Sequence, residues 1–244
     1  MPLHRDTNPK FKAVRLLIRY VDDQQAVIDA VFTVCRKPAA KDGPMELHLW
    51  MAGPHNVETA AQSTVHLDGR AGMVRFHIDR PRRWWPASMG EQPLYDCRLT
   101  LLVGDESSDS CQVTLGLTSV RHQDPDTLLI NGLRYAVDAI VAIKPDEEDE
   151  LLTVGDQSLL LVRDHFAPDV LYEAADRAGL LLVQAVTHAD SAEVRSQVDR
   201  LASHPSLVGW YVDRQAPQSN RLAHHLEQLD PTRKVLRQLP CAAS

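Results

Sequence analysis

The chain has 244 residues, 44% of them hydrophobic and 24% charged, and a formal net charge of −7. That length holds one or two domains with a sizeable core, and the acidic balance argues against a general nucleic-acid binder, which carries a basic face. No run reaches the roughly 18 apolar residues of a membrane span, and the polar start Met1-Pro2-Leu3-His4 leads into no apolar signal core, so no nucleic-acid or membrane partner and a cytoplasmic setting are expected.

The first half reads as strands. Short β-type runs fall at 12–20, 26–36, 46–51, 62–67, 73–78, 95–103 and 112–120. Apolar and polar residues alternate in Val74-Arg75-Phe76-His77-Ile78 and in Arg98-Leu99-Thr100-Leu101, as when one strand face packs inward and the other meets water. Turn residues separate the runs at Asp22-Asp23, Lys41-Asp42-Gly43-Pro44, Asp68-Gly69-Arg70 and 104–108. About seven strands at this spacing predict an antiparallel sandwich of immunoglobulin type over residues 1–124. Cys97 and Cys111 fall in neighbouring runs, where they either face one another or stay as free thiols of a reducing compartment. With Cys35 and Cys241 they form no CxxC pair, so no thiolate metal site is expected.

The rhythm changes after about residue 125. Ile130-Asn131-Gly132-Leu133 suits a tight hairpin, since Asn-Gly tolerates positive φ. A run at 139–143 and an acidic loop at 146–150 follow. Then buried-type strands (159–162, 180–186, 207–212, 234–239) alternate with helices at 168–178, 191–202 and 219–229. The first helix is expected to turn Val170, Leu171 and Ala174 inward and to end on Gly179 in the left-handed conformation. The second is expected to use Ser191 as its cap and to bury Val194, Val198 and Leu201. Strand–helix–strand at this spacing means parallel βαβ units. Eight strands and about 250 residues make a closed barrel, so residues 125–244, with about five strands, predict an incomplete (half) TIM barrel.

Particular residues then carry a resemblance. Arg83-Trp84-Trp85-Pro86 with Gly90, Pro93, Leu94 and Tyr95 resembles the Trp-Trp-Pro…Gly…Pro-Leu-Tyr signature of glycoside hydrolase family 2. Val162-Arg163-Asp164-His165-Phe166-Ala167-Pro168 resembles the family's Val-Arg-Thr-Ser-His-Tyr-Pro segment, one residue short between Arg and His. Residues 171–181 resemble its Phe-Tyr-Glu-Leu-Cys-Asp-Glu-Leu-Gly-Leu-Leu helix. His204-Pro205-Ser206-Leu207-Val208-Gly209-Trp210 is similar to His-Pro-Ser-Ile-Ile-x-Trp, and Asp230-Pro231-Thr232-Arg233 matches Asp-Pro-Thr-Arg. The resemblance covers residues 10–240 and implies an immunoglobulin-like sandwich followed by the first units of a barrel.

Retaining glycosidases need two carboxyl groups about 5 Å apart, one as acid/base and one as nucleophile. The resemblance places the family's Asn-Glu acid/base pair at Arg214 and Gln215, and its nucleophile on a seventh strand. A glutamine amide has the outline of a carboxyl group but cannot relay the proton. The expectation is therefore a catalytically inactive relative, serving as a carbohydrate-binding or protein-interaction module, with no cofactor and no metal. Arg163, Asp164, His165, His188 and Asp213 follow successive strands and are the candidates for a residual sugar pocket. The alternative is an active β-glycosidase that uses a rearranged carboxylate pair, Asp213 being two positions from the acid/base slot, or a barrel completed by another chain. Open barrel edges make a homodimer or a partner chain the expected protein contact.

Overall fold

The computed structural model describes residues 9–36, 44–54, 58–124, 126–144, 158–163, 165–187 and 190–239. The first eight strands are β1 (Phe11–Val21), β2 (Gln25–Val34), β3 (Met45–Ala52), β4 (Glu58–Thr64), β5 (Leu67–Asp68), β6 (Ala71–Asp79), β7 (Leu94–Val103) and β8 (Glu106–Gly116). They form two antiparallel sheets of order β1-β2-β6-β5 and β4-β3-β7-β8. This is the ABED-against-CFG arrangement of the immunoglobulin sandwich with one extra strand beside C. Alternate residues drive the packing: Met45, Leu47, Leu49 and Met51 of β3 are buried, as are Val74, Phe76 and Ile78 of β6. They join Ile28, Phe32, Leu99 and Leu101 in one core drawn from both sheets. Each such fully buried large apolar side chain is worth about 1.5–3 kcal/mol before entropy is counted.

Two edge strands depart from expectation. The run expected at 62–67 is instead β4 beginning at Glu58, followed by the two-residue β5. The run expected at 112–120 begins at Glu106, because Gly104-Asp105 alone make the turn and Val103 pairs with Glu106. Polar residues fill both strands because each lies at a sheet edge, where apolar residues would invite unwanted pairing. Cys97 and Cys111 are not opposite each other: Cys97 pairs with Val113, and Cys111 with Leu99. Both are free thiols, as is Cys35, and burial raises them to about 12 and about 11. Cys241 lies outside the described residues.

A three-stranded antiparallel sheet follows, β9 (Val120–Asp124), β10 (Thr127–Ile130) and β11 (Leu133–Ala136), in the order β11-β10-β9. Asn131 (φ 49) and Gly132 (φ 85) make the expected hairpin turn with two positive φ angles. Five parallel strands come next: β12 (Ala139–Ile143), β13 (Ser158–Val162), β14 (Leu181–Ala185), β15 (Leu207–Tyr211) and β16 (Lys234–Leu236). They lie in chain order in one sheet, with α1 (Asp169–Ala178), α2 (Ser191–Leu201) and α3 (Ser219–Leu229) between successive strands from β13 to β16. Leu160, Val162, Leu182 and Trp210 pack with the helices. Leu159, Leu161, Leu181 and Val183 pack with the β9–β11 sheet and Trp84. Burial on both faces explains why these strands read as continuous apolar runs.

Helix details correct the sequence reading. In α1 the buried residues are Leu171, Tyr172, Ala175 and Asp176, whereas Val170 is 46% exposed. The inward face is rotated because Tyr172 and Asp176, polar by type, find buried partners and so tolerate burial. Gly179 closes α1 at φ 70, as expected. The cap of α2 is Asp190, not Ser191: its side chain accepts from the N–H groups of Ala192 and Glu193. Val194, Val198 and Leu201 are buried as expected.

The halves meet through named contacts. Trp84, fully buried, donates from Nε1 to the Asp176 carbonyl at 2.8 Å. Arg15 of β1 pairs with Asp199 of α2 at 2.8 Å and donates to the Leu229 carbonyl. The Trp84–Trp85 segment thus fills the junction, with the Arg83 guanidinium 4.8 Å from the Trp85 ring centre.

Candidate functional site

In parallel βα sheets the chemistry-bearing residues lie at the C-terminal strand ends, where loops can vary without disturbing the core. Arg163 follows β13, is exposed, and anchors its backbone N–H on the Ile143 carbonyl at 3.2 Å. His165 is also exposed, and its N–H donates to the Arg163 carbonyl at 2.8 Å. Asp164 and His188 lie outside the described residues. Asp213, Arg214 and Gln215 all follow β15 and are exposed. The Asp213 carboxylate accepts from the Gln215 backbone N–H at 2.8 Å, and the Arg214 carbonyl accepts from Ser219 Oγ at 3.0 Å. Asp213 therefore spends one oxygen shaping its own turn, the usual local habit of aspartate.

One grouping does form here. Burial raises the Tyr211 phenol, the Asp213 charge adds to that, and Arg163 and Arg237 oppose it. Tyr211, Asp213, Arg163 and Arg237 stand at the ends of β13, β15 and β16, and the three charges act on the Tyr211 phenol. Arg237 was not foreseen from the sequence. It donates to the Ser219 carbonyl (3.0 Å) and to Ser219 Oγ (2.9 Å), which ties β16 to the start of α3. Gln184 was also missed. It is fully buried in β14, accepts from the Tyr172 hydroxyl, and donates to the carbonyls of Ala185 (2.7 Å) and His165 (3.2 Å). A lone amide inside the apolar run 181–186 was the available signal. Among the described residues no group of three His, Cys, Asp or Glu is placed to hold a metal ion.

Beneath this face lies a buried polar network. Asp176 receives His204 Nδ1 at 2.6 Å and the Ser206 N–H at 3.0 Å. Asp230 receives Trp210 Nε1 (3.0 Å), Arg233 Nη1 (3.0 Å) and the Thr232 hydroxyl (2.6 Å). Burial pushes the Asp230 carboxyl up, but Arg233, Thr232 and Trp210 outweigh it and hold it below the usual carboxylate range. Enclosed space and strand-end chemistry do not coincide. A cleft of about 520 Å³ lies at the opposite end, lined by Leu207, Thr232, Arg121 and Arg19 among others.

The class defined by this plan is a two-sheet sandwich coupled through a tryptophan junction to a parallel βα layer. Comparison with known proteins narrows it. Residues 14–117 match the family model described as Glycosyl hydrolases family 2. The chain is 28% identical over 191 residues to β-mannosidase B of Thermothelomyces thermophilus, covering 63% of this chain and 22% of that protein. It is 28% identical over 175 residues to the exo-β-D-glucosaminidase of Streptomyces avermitilis, covering 56% and 19%. A solved glycosyl hydrolase family 2 member from Bacteroides cellulosilyticus superposes with a TM-score of 0.73 at 15% identity, over 95% of this chain and 35% of that one. The chain is thus similar to glycoside hydrolase family 2 proteins, and it spans about a fifth of the length of the curated relatives it matches.

Proposed function

We propose that this chain is a non-catalytic member of the glycosidase lineage that binds carbohydrate. Its organisation on this reading is a sandwich over residues 1–124 and an incomplete (β/α) barrel over 125–244. The proposal rests on the residue that the motif resemblance aligns with the family's acid/base position. By that alignment the residue is Gln215, exposed in the turn after β15, and an amide cannot protonate a leaving oxygen and then take a proton from water. Asp213, the nearest carboxylate in sequence, caps that turn through the Gln215 N–H. What remains beside it (Tyr211, Arg163 and Arg237) can hydrogen-bond hydroxyl groups without cleaving a glycosidic bond. The relatives named for β-mannosides and β-glucosaminides make those sugars the first ligands to try. The free thiols support a cytoplasmic setting.

The test is a calorimetric titration with mannobiose and with a glucosamine disaccharide. Binding that weakens about ten-fold or more in Arg163→Ala supports the reading. Absence of binding to both sugars, or binding indifferent to Arg163→Ala and Tyr211→Phe, refutes this site.

A second reading rests on the sheet edges. β12 and β16 end the parallel sheet, and their outer edges pair with no described strand. Unpaired parallel edges invite addition of another chain, so completion of the barrel by a second copy or a partner would restore a glycosidase site. Light scattering checks this: a dimer at micromolar concentration supports it, and a monomer removes the homodimer.

A further inference from the structure

A cleft lies where the far end of β1, the Arg83 segment, the β8–β9 stretch, the β10–β11 hairpin, the α2–β15 loop and the α3–β16 loop converge. Its volume of about 520 Å³ is in the range of small-molecule sites, about 300–1,000 Å³. The walls are rich in arginine: Arg19, Arg83, Arg121 and Arg233 line the cleft against a single lining carboxylate, Asp22.

Three of these guanidinium groups are anchored. Arg19 Nε donates to Asp29 at 2.8 Å. Arg83 pairs with Asp23. Arg233 donates to Asp230 (3.0 Å) and to the carbonyls of Leu207 (2.6 Å) and His204 (2.8 Å). The lining carboxylate is also engaged, since Asp22 accepts from the Tyr20 hydroxyl and from two backbone N–H groups. Arg121 differs. It sits in β9 opposite Leu129, its neighbour His122 turns the other way to the Val208 carbonyl, and it makes no ion pair or hydrogen bond among the described residues. The hydroxyl groups of Ser119 and Ser203 line the same recess and likewise have no partner among the described residues.

A guanidinium fork matches the two oxygens of a carboxylate or phosphate, and its strength grows where walls exclude water. Hydroxyl groups beside it suit a ligand that carries hydroxyls of its own. The chain's net charge of −7 disfavours long polyanions, and the recess is built from six separate segments, so the fitting ligand is small. We propose that this cleft binds a monosaccharide-sized polyhydroxylated anion, a sugar acid or a sugar phosphate, with Arg121 holding the anionic group and Ser119 and Ser203 contacting its hydroxyls. The site is independent of the strand-end surface and does not rest on the absence of catalysis there.

Calorimetric titration with galacturonate, glucose 6-phosphate, glucose and inorganic phosphate tests it. At least one of the two sugar anions is expected to bind ten-fold or more tightly than glucose or inorganic phosphate. Arg121→Gln, on an exposed strand position, is expected to weaken that binding about ten-fold or more, with Arg121→Lys intermediate. Asp213→Ala, at the other end of the sheet, leaves it unchanged. The proposal is overturned if neither sugar anion binds, if Arg121→Gln binds as wild type does, or if inorganic phosphate alone matches the sugar anions.

Discussion

Around the N-terminal ends of β14 and β15 the buried carboxylates are met by hydrogen-bond donors, whereas just beyond the C-terminal ends of β13 and β15 the polar side chains stand in water. Asp176, Ser206 and Asp230 are each under 4% exposed, and the two aspartates accept at least two hydrogen bonds each. Arg163, His165, Asp213, Arg214 and Gln215 are all exposed. The residues that carry the family resemblance fall largely in the first group: Trp84, Asp176, His204, Trp210, Asp230 and Arg233 each make a hydrogen bond that holds strand, helix and junction together. A buried polar group left without its partner costs about 1–3 kcal/mol, more if charged, so such positions resist change. An exposed strand-end residue carries no such penalty and is free to lose a carboxyl group. The comparison teaches that the scaffold and the chemistry of this fold are held by different forces.

Substitutions can break that contrast. The largest effect is expected for Trp84→Ala, which empties a fully buried site and removes the bond to Asp176. Urea denaturation should show a loss of about 3–5 kcal/mol. Asp230→Asn should cost about 2–3 kcal/mol by the same measurement, since Arg233 and Trp210 lose a charged acceptor. Gly179→Ala places a Cβ 2.5 Å from the Ala87 nitrogen at φ 70, and should cost about 1–3 kcal/mol. At the other end, Gln215→Ala should shift stability by no more than about 0.5 kcal/mol. A loss above 1 kcal/mol for Gln215→Ala would erase the distinction.

A pH profile sharpens it further. Burial lowers the His122 pKa, with Lys234 adding to this and the Val208 carbonyl opposing it. A depressed histidine favours its neutral form in the folded state, so its contribution is present above the unfolded value of about 6.5 and is lost as pH falls below it. Thermal melts of wild type should weaken from pH 7 downward, and His122→Gln should flatten that portion of the curve. An equal slope in both proteins contradicts the assignment.

Much of this fold was legible because its signals are periodic. The alternation in β3 and β6, the apolar runs of β13 to β15, the Asn131-Gly132 turn and the Gly179 cap each follow from local chemistry. The edge strands β4 and β8 were misplaced because an edge carries polar residues on both sides and loses its period-two signature. The α1 face was misread because Tyr172 and Asp176 are buried by virtue of partners distant in sequence, Gln184 and His204. At the candidate site, the sequence placed Arg163, His165, Asp213 and Gln215 after strands β13 and β15, where they stand exposed. Arg237 and the cleft around Arg121 were not legible, since they depend on loops brought together only by the tertiary fold.

The central claim is most directly tested by turnover of 4-nitrophenyl β-D-mannoside and β-D-glucosaminide by the purified chain, with Asp213→Asn alongside. The account predicts no turnover above buffer in either protein. Turnover by the wild type that disappears in Asp213→Asn would contradict it, and would mean that the acid/base role has moved two residues along the turn after β15.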